Sequence, residues 1–256
     1  MKSYVLGSIG ALAALAVGVL GSACSSGSSG STGSSSGAAC NPCDTGSSSG
    51  GTTTAGHDAN PDGVPYPSPA GGYGRTARSG GTPGSVMQNF KFLGFLNGDN
   101  TKPMTTISLA DYYDPCNKRY KLIHLTVAAV WCQPCNQETD ALVAAKASLD
   151  QQQVVVIQAL DDGPTVGVPA TLNDLNYWIK THSSNFTEMM DPGLQNLGGF
   201  FDAAAIPWNA DLDPRTMEIL DSSDGWAGDV NSELQSGFSA LPSQPGYALP
   251  ASVSCP

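Results

Sequence analysis

The residues best suited to chemistry in this 256-residue chain are two cysteines in the run Trp131-Cys132-Gln133-Pro134-Cys135. Three positions on a helix make about one turn, so the second thiol can reach the first and close an intramolecular disulfide. A thiolate, not a thiol, attacks a disulfide, and a Cys at a helix N-terminus has its thiolate stabilised by unpaired N–H groups and the helix dipole. Cys132 is the residue so placed, which makes it the expected nucleophile and Cys135 the expected resolving thiol. A structural zinc site or a permanently closed disulfide are the alternatives. Structural zinc needs four ligands, and no second Cys pair or Cys–His pair stands nearby at matching spacing.

Such a site needs a strand that delivers the first Cys and a helix that carries the second. Leu122 to Val130 is a nine-residue run, mostly apolar and β-branched, long enough to cross a sheet as a buried strand. Beyond the cysteines, Leu142, Ala145 and Leu149 recur at helical spacing. Val154 to Ile157 predicts a second buried strand, and Thr171-Leu172-Asn173-Asp174 a capping box ahead of a helix with Leu175, Trp178 and Ile179 on its apolar face. The pattern further predicts a short helix over Leu194 to Phe201 and an X-Pro step at Ile206-Pro207. Strands near Trp208 to Leu212 and Met217 to Leu220 follow, then a helix with Val230, Leu234, Phe238 and Leu241 on one face. Upstream, Phe90 to Leu96 reads as a strand entering a turn at Asn97-Gly98, and Leu109 to Tyr113 as one helical turn.

The order strand, CxxC, helix, strand, helix, X-Pro, hairpin, helix resembles the thioredoxin fold, an α/β architecture with a mixed central sheet flanked by helices. With the N-terminal strand extension and Glu138 three residues after Cys135, the chain resembles the extracytoplasmic thiol-disulfide oxidoreductases of the TlpA and ResA type, in the wider redoxin group. That resemblance implies that Pro207 is cis and faces the CxxC, that Trp131, Ile206 and Pro207 meet the substrate, and that Glu138 assists proton transfer at the resolving thiol. A solvated first-turn acid is the other reading of Glu138. It also implies no cofactor beyond the redox-active disulfide, no metal, and a reducing direction. Electrons would then come from a membrane donor such as a DsbD- or CcdA-type protein. Three positions depart from related patterns. Thr126 stands where thioredoxin keeps a buried Asp, Asp140 where a helix-kinking Pro is common, and Trp208 where Thr often follows the proline. His124 reads as a packed or edge residue.

The rest of the chain bears on location. Residues 1–23 form an apolar leader that ends Gly21-Ser22-Ala23 before Cys24, similar to the lipobox of a bacterial lipoprotein, so Cys24 is the expected lipidation site. Of the 32 residues from Ser25 to Gly56, 24 are Ser, Gly or Thr, too poor in apolar side chains to order a chain. The tether is expected over 24–84, the thioredoxin-like domain over 85–245 and a tail over 246–256. Within the tether, Cys40 and Cys43 suit a local disulfide. Asp58, Asn60, Asp62 and Gly63 begin a calcium-loop pattern that fails at its twelfth position, Pro69, and reads as an ordinary turn. Seven cysteines minus a lipidated Cys24 leave six, and with the other four paired Cys116 and Cys255 are left to form a bridge, two free thiols being the alternative.

Net charge is −11, and residues 136–256 hold 16 acids against 3 bases, which excludes an electrostatic nucleic-acid binder. Disulfides or dithiols of exported proteins are the expected substrates. The expected location is the periplasmic side of the cell envelope, with the outer membrane favoured because no Asp follows Cys24. Two other classes compete. A thiol peroxidase should show P-x-x-x-T-x-x-C, yet Ala129 stands at the Thr position. A non-catalytic surface lipoprotein would use the fold as a binding module.

Overall fold

The computed structural model describes residues 57–68, 84–202, 205–241 and 253. Cys24, Cys40, Cys43 and Cys255 lie outside the described residues, as do the expected leader and most of the expected tail. Lys91–Phe95 (β1) turns through a 3-10 segment, Leu96–Gly98, and returns as Thr105–Ser108 (β2). A second 3-10 turn, Leu109–Tyr112, leads to Leu122–Ala128 (β3), which is buried along its whole length. Then come Gln133–Gln151 (α1), Val154–Leu160 (β4), Leu172–His182 (α2), Thr187–Met190 (β5), Trp208–Asp213 (β6), Glu218–Asp224 (β7) and Val230–Ala240 (α3).

The seven strands form one sheet in the order β2-β1-β5-β4-β3-β6-β7, with β3, β4 and β5 parallel and the other pairs antiparallel. Because side chains alternate along a strand, the two faces of β3 carry different loads. Ile123, Leu125 and Val127 join a cluster with Met87, Tyr113, Leu197, Phe200 and Trp208. Leu122 and Ala128 point the other way, against apolar residues of α1, α3 and α2. All three α-helices therefore pack on one face, and the other is covered by turns and extended segments.

Two expectations need correcting here. Leu194 to Phe201 is a series of turns, not a helix. Gly193 and Leu194 both have positive φ (68° and 55°), and the Asp191 carboxylate takes the N–H groups of Asn196 and Leu197, bonds that a helix start there would have to redirect. Its apolar side chains still reach the core, with Phe201 stacked on Trp208 at 5.0 Å. The tether, expected through residue 84, includes a stretch that docks on the domain. Asn60 Oδ1 accepts from the N–H groups of Asp62 and Val64, its amide donates to the Tyr113 carbonyl, and Tyr66 is buried against Tyr113. The Asp58–Gly63 run is thus a side-chain-braced turn.

The capping box is present: Thr171 Oγ1 accepts from the Asp174 N–H at the start of α2. At α3, Gly237 lies directly over β6, and a Cβ there would land on the Asp211 carboxylate. Gly237→Ala is expected to lower stability by about 1–3 kcal/mol through overpacking, even though Ala favours the helix by up to about 1 kcal/mol. A urea midpoint that rises in this variant would show that α3 is not seated so closely.

Candidate active site

β3 ends at Ala128, and the chain turns through Ala129 to Trp131 into α1, whose N-cap is Cys132. The Cys132 sulfur accepts the Cys135 N–H at 3.2 Å, so one of the unpaired donors of the first turn already points at the sulfur that must carry negative charge when reduced. Cys132 and Cys135 are joined as a disulfide with a Cα–Cα distance of 5.3 Å. Asn136, which the sequence reading passed over, braces this turn by donating its amide to the carbonyls of Cys132 (2.6 Å) and Val130 (3.3 Å). In the disulfide state Cys132 is as buried as Cys135, so exposure does not distinguish the two thiols. Position does: Cys132 Sγ lies 3.6 Å from the carbonyl oxygen of Ile206, and the Ile206–Pro207 peptide is cis.

The fold is the thioredoxin fold. It rests on the β4-β3-β6-β7 core of the sheet, the CxxC at the start of α1 and the proline facing it. No family model matches the chain, and no curated protein does. Among solved structures, a candidate thiol:disulfide interchange protein DsbE of Chlorobium tepidum has a TM-score of 0.49 at 20% identity, covering 63% of this chain and 99% of its own. AhpC of Enterococcus faecalis has a TM-score of 0.47 at 16% identity, covering 62% and 90%. An exposed lipoprotein thioredoxin of Streptococcus pneumoniae has a TM-score of 0.42 at 20% identity, covering 59% and 99%.

Trp131 is partly exposed beside the disulfide, and its indole N–H donates to Asp162 Oδ2 at 3.1 Å. The same oxygen accepts the Gly167 N–H at 2.6 Å, which holds the loop carrying the exposed Val166 and Val168 next to the indole. Asp162 had no sequence signal, because it reaches Trp131 only through the β3–β4 pairing.

Glu138 is not a solvated acid. It lies one turn beyond Cys135 on the buried face of α1, with no exposed surface, and Thr126 donates its hydroxyl to Oε2 at 3.2 Å. Thr126 thus stands under a carboxylate supplied by the helix. Burial pushes the Glu138 carboxyl up to about 7, against the opposing pull of His124 and with a further upward push from Glu233. A carboxyl in that range can both take and release a proton near neutrality. His124 is packed at the centre of the sheet, its Nδ1 2.9 Å from Asp211 Oδ1 on β6. Asp140 does not interrupt α1, which runs unbroken for 19 residues, and pairs with His182 of α2 at 2.7 Å. Cys116 is disulfide-bonded, while Cys255, its expected partner, lies outside the described residues.

Proposed function

We propose that this chain is a thiol-disulfide oxidoreductase tethered to the cell envelope that reduces disulfides of exported proteins. The observation that carries the proposal is Cys132 Sγ held at the N-terminus of α1, 3.6 Å from the carbonyl that precedes cis-Pro207. A sulfur there is stabilised as a thiolate and faces a backbone edge, at Ile206, that can pair with an incoming extended polypeptide. In the reaction, the Cys132 thiolate attacks one sulfur of a substrate disulfide, and the other sulfur leaves with the bonding pair as a thiolate. Cys135 then gives its proton to Glu138, and its sulfur attacks Cys132 Sγ. The Cys132–substrate bond breaks, the second substrate thiolate departs, and the Cys132–Cys135 disulfide forms. Two electrons have passed to substrate, so the site must be reset by a dithiol donor, for which a DsbD- or CcdA-type membrane protein is suited. No further cofactor is required by this chemistry.

Trp131, Ile206 and Pro207 form the substrate-facing surface in this reading. Anchoring would be through a lipid on Cys24, which supplies membrane affinity that the tether alone lacks. Among the described residues no helix is long and apolar enough to cross a membrane. Two experiments test the proposal. The purified domain should accelerate reduction of insulin by dithiothreitol, and equality with the uncatalysed rate would leave a binding module as the better reading. Cys24→Ala should lose incorporation of labelled fatty acid and appear in the soluble fraction or as uncleaved precursor. A wild type that takes up no label would remove the anchor.

A further inference from the structure

The helix-covered face of the sheet is polar where an apolar core would be expected. Successive strands place Glu188, Gln158, Thr126 and Asn209 side by side in register, and one step down β3 and β6 the row continues with His124 and Asp211. These residues are buried, and several of their atoms have no hydrogen-bond partner among the described residues: Glu188 Oε2, His124 Nε2, Gln158 Nε2 and Asn209 Oδ1. Buried polar atoms left unpaired cost on the order of 1–3 kcal/mol each, so a cluster of them beside a reactive site calls for a reason.

We infer that the buried His124–Asp211 pair is a positioning pair for Glu138: Asp211 holds His124 as an imidazolium, whose charge keeps the Glu138 carboxylate available to take the Cys135 proton. The inference rests on the proposed thiol-disulfide function and adds to it the origin of the site's pH range. His124 and Thr126 are two residues apart on β3 and so share a face, and Thr126 is bonded to Glu138. His124 is 1% exposed and Asp211 4% exposed, so water screens neither charge from Glu138. Gly237 lets α3 close over Asp211 and seal the pair.

The charged groups facing His124 are Asp211 from β6, Glu138 from α1 and Glu233 from α3, with Asp221 of β7 in register beyond Asp211. Glu233 is already occupied, accepting from Ser223 Oγ at 3.0 Å and from the Ala227 N–H at 2.9 Å. On the β4 side the neighbour in register is Val156. Among the described residues His124 is thus the cationic group facing these carboxyls, and Glu138 is the one of them on the helix that carries Cys135, one turn beyond it. Burial opposes charge on His124, but the hydrogen bond and charge of Asp211, with Glu138 and Glu233, outweigh it and hold the imidazole above its ordinary value. Removing that cation leaves burial and Glu233, which favour the protonated form of Glu138, opposed only by the hydrogen bonds from Asn209 and Thr126.

The test follows closure of the disulfide in the full reduced chain after mixing with excess glutathione disulfide, with acid quench and mass spectrometry to count the glutathione adduct. Attack by Cys132 depends on glutathione disulfide concentration; closure by Cys135 does not. His124→Gln should move the pH midpoint of closure up by about one unit, making closure about fivefold slower at pH 7 while attack is unaffected. Asp211→Asn should shift it the same way. Glu188→Gln, at the far end of the row, should leave the midpoint in place. An unchanged midpoint in a folded His124→Gln protein overturns the inference. Nitrogen-15 spectra of the wild type give an answer that needs no variant: both ring nitrogens of His124 should be protonated at pH 7, and a neutral ring overturns the inference. A wild type that forms no adduct, or a Cys135→Ser protein that fails to accumulate one, fails the proposed function itself and takes this inference with it.

Discussion

Cys132→Ser should reduce the rate of insulin reduction to that of dithiothreitol alone, whereas Cys135→Ser should still attack and should accumulate mixed disulfides. The two outcomes differ because the sulfurs occupy different places in the same turn. Cys132 Sγ receives the Cys135 N–H and lies beside the Ile206 carbonyl that precedes Pro207. Cys135 is enclosed on the helix side, with its carbonyl accepting the Thr139 hydroxyl at 2.8 Å. Without Cys132 there is no thiolate to begin the exchange. Without Cys135 the first exchange occurs and nothing expels the product. Non-reducing gels of Cys135→Ser cells should show adducts that vanish on reduction. Adducts on Cys132→Ser instead would reverse the two roles.

Glu188→Gln should stabilise the protein by several kcal/mol at pH 9 and by almost nothing at pH 4. Glu188 is fully buried on β5; Ser184 donates to Oε1 at 2.5 Å, and Oε2 has no hydrogen-bond partner among the described residues. Burial pushes its carboxyl from 4.5 up to about 8. Between those values the folded protein holds a proton that the unfolded chain has released, so stability falls as pH rises through the window and stays low above it. At about 1.4 kcal/mol per unit, the effect is on the order of 5 kcal/mol. Gln is neutral at every pH and keeps the shape, so the gain should grow as pH rises above about 4.5, where Glu188 of the unfolded chain ionises, and level off above about 8. Urea midpoints of both proteins at pH 4, 7 and 9 measure it. A difference independent of pH would mean that packing, not charge, separates them.

What the sequence disclosed depended on whether a feature was local. The run from Leu122, the Cys132–Cys135 spacing, the capping box at Thr171 and the Ile206-Pro207 step carry their signals within a few residues, and each stands where expected. Thr105–Ser108 and Thr187–Met190 are four-residue strands of mixed polarity held by their neighbours, β1 beside the first and β4 beside the second, so no periodicity marks them. Glu138 could have been read as buried, since it lies three residues after Cys135 and four before Leu142 on one helical stripe. The pairing of His124 with Asp211 spans 87 residues and exists only through the β3–β6 register. Likewise the cover on the second sheet face comes from turns, where Leu197, Phe200 and Phe201 pack without helical spacing.

The most direct test of the account is the equilibrium redox potential of the Cys132–Cys135 pair, measured against glutathione buffers with alkylation of the free thiols. A reductant of exported disulfides must hold electrons more loosely than the proteins it serves. The Cys132–Cys135 pair should therefore have a potential below about −200 mV, on the thioredoxin side of the known range, which runs from about −270 to about −120 mV. A value near −120 mV would make the protein an oxidant, and a pair that stays closed across the whole range would make the disulfide structural.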